Sequence, residues 1–105
     1  MLVQKGVDPI DPDESKPYTH DFTDQLEAGD TVASVVYSVV VNTGSDATPN
    51  AILDGSPVIA SDGLSTSHQI SGATAGVTYE VIAKATTTRG DVIELSGLLR
   101  CVARG

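Results

Sequence analysis

The chain has 105 residues, 40% of them apolar, with one Cys, no Trp and a formal charge of −8. That length holds one domain and no second core, and size scaling has a chain of this mass bury roughly 65% of its unfolded surface, enough to fold without staples. Such an excess of negative charge sets the chain against phosphate backbones and anionic lipid, so neither nucleic acid nor a membrane is an expected partner.

Residues 1–16 read as an extended acidic arm, and residues 17–105 as the folded domain. The arm carries Asp8, Asp11, Asp13 and Glu14 among prolines, with Ile10 as the large apolar side chain of its proline-rich part. Proline removes backbone donors and holds φ near the polyproline value, so the arm is expected to be extended and to add little to a core. Its opening leads into acids and prolines rather than an apolar signal segment, so synthesis in a cytosol is expected.

Tyr18, His20 and Phe22 alternate with Thr19, Asp21 and Thr23, which predicts a short strand with its aromatics inward. Residues 31–41 form the strongest predicted strand, with Ala33, Val35, Tyr37 and Val39 assigned inward. Residues 42–50 have the composition of a loop. Short strands follow at 51–53 and 58–60, the first ended by Asp54-Gly55 and the second by Asp62-Gly63. Another is expected at 66–71.

Residues 76–95 carry the clearest signal. Tyr79, Val81, Ala83 and Ala85 share one parity, Thr78, Glu80, Lys84 and Thr86 the other, and Arg89-Gly90-Asp91 turns the chain into a second alternating run. In that run Ile93, Leu95, Leu99 and Cys101 share a face. About seven short strands separated by turns predict an immunoglobulin-like (fibronectin III-like) antiparallel β-sandwich with an extended N-terminal arm.

No constellation of catalytic residues stands out. The acids of the arm miss the calcium-loop pattern, because no Gly follows the third acid and no terminal Glu stands at the required offset. They read instead as a solvated acidic segment and a candidate interaction surface. His20 is expected to pack within its strand, while His68, among Ser and Thr, is assigned to the surface. Zinc recruits His and Cys together, which one distant Cys does not provide. There is no Gly-x-Ser-x-Gly elbow for a serine nucleophile. Cys101 is expected inside as a small apolar residue, and its solitude excludes an internal disulfide. Arg89-Gly90-Asp91 spells an integrin-binding tripeptide, but Gly-Asp is ordinary turn chemistry. Tyr79 is assigned a structural role: in sandwiches of this type such a Tyr buries its ring and bonds upstream backbone, here residues 73–76. Tyr37, Phe22 and Cys101 are the other expected structural residues. No enzyme activity, metal or cofactor is expected.

Asp11-Pro12-Asp13-Glu14, Tyr18, Asp21, Leu26, Gly29-Asp30-Thr31-Val32 and Tyr37 resemble the opening of small tailed-phage proteins, the fibre-tail adaptors. Ile70-Ser71-Gly72, the run from Thr74 through Val81, Thr86-Thr87-Thr88 and Gly90 continue the resemblance, which spans residues 11–102. The chain departs from that family by having Phe22 and Tyr37 where Trp often stands, and by a longer loop at 42–50. The resemblance implies a non-enzymatic virion component that links the tail to its fibres, or decorates the head or tail. It implies other virion proteins as partners, several copies per particle, and a place in the tail region. The alternative is an independent module whose loop 42–50 recognises a host protein or a carbohydrate. With four aromatics, three of them assigned to the core or near it, carbohydrate stacking has little to work with.

Overall fold

Strands form where apolar and polar side chains alternate, and the two periods face each other across one core. The computed structural model describes the backbone of residues 2–4 and all of residues 10–102. Three strands, β2 (Ser15–Asp21), β4 (Leu53–Ile59) and β5 (Ser65–Ser71), make an antiparallel sheet in the order β2-β5-β4. A second antiparallel set is built from β3 (Val32–Thr43), β6 (Thr78–Thr87) and β7 (Val92–Arg100), in the order β7-β6-β3. The short strand β1 (Leu2–Gln4) adds to the free edge of β7 in parallel, with Leu2 opposite Leu95. Two 3-10 turns, Thr23–Gln25 and Pro49–Ile52, are the helical elements of the described residues.

Period two governs the core. Tyr79, Val81, Ala83 and Ala85 of β6 are all fully buried. They meet Tyr37 and Val39 from β3 and Leu95 and Leu99 from β7. Tyr18, His20, Thr66, His68 and Ile70 face them from the other sheet, and Phe22 and Ile52 close the layer. Burying a large apolar side chain contributes about 1.5–3 kcal/mol, so this layer carries most of the favourable term in folding.

Four expectations change. First, residues 1–16 are not wholly separate from the core. Ile10 is 1% exposed, its N–H donates to the Arg100 carbonyl at 3.0 Å, and its carbonyl accepts from Val102 at 2.8 Å. This one large apolar side chain reaches the sandwich through an isolated parallel bridge to Cys101. The division drawn at residue 16 also falls inside β2. Second, Ala33 is exposed and Val35 half-buried. A register shift between Val32 and Ser34 inserts an extra residue there, and a bulge reverses parity on one side of it. Third, Ala51 and Ile52 of the strand expected at 51–53 lie in the 3-10 turn, and Leu53 begins a single strand, β4, that runs on through Val58 and Ile59 of the strand expected at 58–60. Asp54-Gly55 does not end it: Gly55 takes φ +78° and the register slips between Asp54 and Val58 before pairing resumes. Fourth, His68 is 4% exposed rather than on the surface, since it shares parity with Thr66 and Ile70.

β3 is the outer strand of its sheet, and its edge is partly occupied. The Val39 N–H donates to the side-chain Oδ1 of Asn50 at 2.8 Å, so the turn at Pro49–Ile52 is tied to the middle of the strand.

Candidate functional site

The acidic segment is a closed local turn. The Asp11 N–H donates to Glu14 Oε1 at 2.8 Å, the Asp13 N–H to Asp11 Oδ1 at 2.9 Å, and the Glu14 N–H to the Asp11 carbonyl at 2.9 Å. Glu14 also pairs with Lys16 at 3.4 Å. Such bonds spend carboxylate lone pairs on the chain's own donors. Asp13 remains exposed. Asp8 lies outside the described residues. Among those residues no group of three or more His, Cys, Asp or Glu side chains could hold a metal ion.

Tyr79, fully buried at the start of β6, fastens two loops. Its hydroxyl oxygen accepts from the Thr74 N–H at 2.9 Å and its O–H donates to Asp46 Oδ2 at 2.7 Å. Burial, and then the bond to Asp46, raise the Tyr79 pKa. The bond from Tyr79, together with the Thr48 N–H, holds the Asp46 carboxyl below the usual range. Loop 42–50 is thereby anchored to the corner that precedes β6.

Asp30 does comparable work at the opposite end. Its Oδ1 accepts from the Thr31 N–H at 2.9 Å, from the Thr88 hydroxyl, and from the Arg89 N–H at 3.3 Å. Burial pushes this carboxyl up, but the hydrogen bonds, led by Thr88, outweigh it and leave the pKa lowered. The Arg89-Gly90-Asp91 tip is a tight turn, with Gly90 at φ +94° and its N–H donating to the Thr87 carbonyl at 2.9 Å.

A polar seam crosses the core. His20 Nε2 lies 3.1 Å from the Val81 carbonyl, which can only accept, so Nε2 carries the proton. Nδ1 then accepts from the Tyr37 hydroxyl at 3.0 Å, and that oxygen accepts from the Thr66 hydroxyl at 2.8 Å. The rings of Tyr18 and His20 stand 4.9 Å apart, those of Tyr37 and His68 5.3 Å. Burial lowers the His20 pKa to about 4, against the opposing bond to Val81. Burial also raises Tyr37 to about 12. The seam is sealed between the sheets: His20, Tyr37 and Thr66 satisfy one another as a core network, while the Tyr18 hydroxyl beside them is buried without a hydrogen-bond partner.

Phe22 and Cys101 are both fully buried. The Phe22 N–H donates to the Leu64 carbonyl at 2.9 Å, linking the end of β2 to the turn before β5. Cys101 is a free thiol whose pKa burial raises, with a smaller push from Asp11.

The two outer faces differ in character. That of β2-β5-β4 presents Ser15, Pro17, Thr19, Ser65, Ser67, Gln69 and Ser71, with Val58 exposed at its edge. That of β7-β6-β3 presents Val36, Val40, Val92 and Leu98 beside Glu80, Lys84, Glu94 and Arg100.

The family described as podophage GP4 fiber-tail adaptor protein gp77 matches residues 11–100, from the acidic turn to the end of β7. The chain belongs to this family. No curated protein and no solved structure matches it significantly. Membership in the fibre-tail adaptor family supports a phage structural role, association with other virion proteins and a place in the virion tail.

Sequence reasoning does not single out Asp46, Thr66 or Asn50; His68 reads as a surface residue, and Asp30 enters only through the family resemblance. A period-two reading of residues 65–71 contains the signal for Thr66 and His68. The Asp residues precede turns, where a side-chain bond to the following backbone is their ordinary use, so nothing local marks their long-range partners.

Proposed function

We propose that the chain is a non-enzymatic adaptor that joins the phage tail to its fibres. The observation that carries this reading is the family match over residues 11–100, which spans β2 through β7 rather than one loop or motif. Two further features support a binding role without chemistry. Three titratable groups of the core, His20, Tyr37 and His68, are engaged with one another and shut away from solvent. The charge of −8 opposes contact with nucleic acid or anionic lipid and leaves protein surfaces as partners.

We further infer that the domain is immunoglobulin-like. In that fold one sheet runs B-E-D, the other G-F-C, and a Tyr near the start of strand F bonds upstream backbone. The orders β2-β5-β4 and β7-β6-β3, and the Tyr79 hydroxyl on Thr74, support this reading.

Purified particles test the adaptor role. Mass spectrometry of cross-linked virions is expected to recover peptides of this chain joined to both a tail protein and a fibre protein. Recovery with neither, or absence of the chain from washed particles, overturns the assignment.

A further inference from the structure

We propose that two copies of this chain pair through the outer face of β7-β6-β3, around a twofold axis that runs across the strands. Of the six large apolar residues that stand exposed among the described residues, Val36, Val40, Val92 and Leu98 lie on this one face. Its charged residues are two carboxylates, Glu80 and Glu94, and two cations, Lys84 and Arg100, so it contributes nothing to the net −8. Over the rest of their surfaces two copies repel each other. Here they do not.

The register makes this face complementary to itself. Val40, Glu80 and Leu98 form one cross-strand row; Ser38, Ile82 and Ser96 the next; Val36, Lys84 and Glu94 the third. Ile82 is half-buried and Ser96 buried in the middle row. A twofold axis over that middle row sets the first row of one copy on the third row of the other. Glu80 then meets Lys84 of the second copy, twice by symmetry. Val40 meets Val36, Ile82 meets Ile82, and Leu98 lies along the methylenes of Glu94. An isologous interface requires this kind of match, and like charges would forbid it.

Size sets the strength. β7 is nine residues long, and three strands at ~4.8 Å spacing and ~3.4 Å per residue give a face of roughly 400 Å². Stable complexes bury about 800 Å² per partner, so the pair is weak between free molecules and is favoured where a particle holds copies close together. This inference does not depend on the link to fibres.

Sedimentation velocity across a concentration series tests it on the full chain. The wild type is expected to show a monomer–dimer equilibrium below roughly 1 mM, the range of weak contacts. Glu80→Lys places Lys opposite Lys at both symmetric contacts and is expected to weaken the dimer at least tenfold, as is Lys84→Glu. Both positions point outward, so circular dichroism should be unchanged. The double variant Glu80→Lys with Lys84→Glu restores opposite charges and is expected to recover dimerisation. A wild type that stays monomeric throughout, including one that binds only a different virion protein on this face, overturns the proposal. So does a Glu80→Lys variant that dimerises as well as wild type, or a double variant that remains as weak as either single one.

Discussion

The hydroxyl of Tyr79 donates to Asp46, 33 residues earlier in the chain, while accepting from Thr74, five residues earlier. One phenol therefore joins loop 42–50 to the corner before β6, and both loops depend on a ring whose burial is set by strand parity. Local alternation buries the ring, and the ring then organises distant loops.

Tyr79→Phe keeps the ring and removes both bonds, so it should lower stability by at least about 1 kcal/mol, the net value of a single hydrogen bond. Tyr79→Ala removes the ring as well and should cost ~3–5 kcal/mol. Urea melts rank the two. Equal midpoints for Tyr79→Ala and wild type would disprove the burial.

Acidification should weaken the fold through His20. Its pKa is lowered from the ordinary 6.5 to about 4, so below pH 6.5 the unfolded chain takes up a proton that the folded one refuses. Stability from the neutral, buried ring is therefore complete above pH 6.5 and drains away as pH falls toward 4, by up to roughly 3 kcal/mol. Urea midpoints at pH 7 and pH 4.5 measure the drop. In His20→Gln, which has no group titrating in this window at that position, the drop should be smaller. If the variant keeps the full drop, His20 is not its source.

Ile10→Ala should cost ~2–5 kcal/mol, the range for emptying a buried aliphatic site. The nearby Asp13→Ala, at an exposed position, should stay within about 0.5 kcal/mol. Thermal melts of both distinguish a segment built into the sandwich at Ile10 from one that merely precedes it.

Cys101 should ignore a thiol reagent in the native protein and react at once in denaturant. Its full burial and raised pKa both deplete accessible thiolate. Rapid native labelling would place it elsewhere.

What is legible in the sequence follows how local its cause is. The inward set of β6 can be read directly, because every second residue from Tyr79 to Ala85 is apolar or aromatic and most of those between are polar. β3 is harder. Val36 and Val40 share parity with Ser34 and Ser38, and a bulge beside Ala33 reverses the alternation where composition gives no warning. Asp54-Gly55 reads as a terminator since Gly permits a turn, yet the same freedom at positive φ also permits a bulge within a continuing strand. Ile10 is hidden because a single apolar residue among prolines has no period to read. The seam is hidden for another reason: Tyr37 and Thr66 stand 29 residues apart, and only the facing of two sheets brings them together.

A strand of twelve residues at the margin of a sheet, rich in valine, is a template on which further chains can align without limit. Asn50 occupies the Val39 amide of that strand with its own carbonyl, so a foreign backbone meets a donor already engaged at mid-length. On the far margin the added strand is only three residues long, too short to template much. Wherever copies meet at high concentration, these two obstructions oppose the edge-to-edge pairing of this sheet that would lead to fibrils.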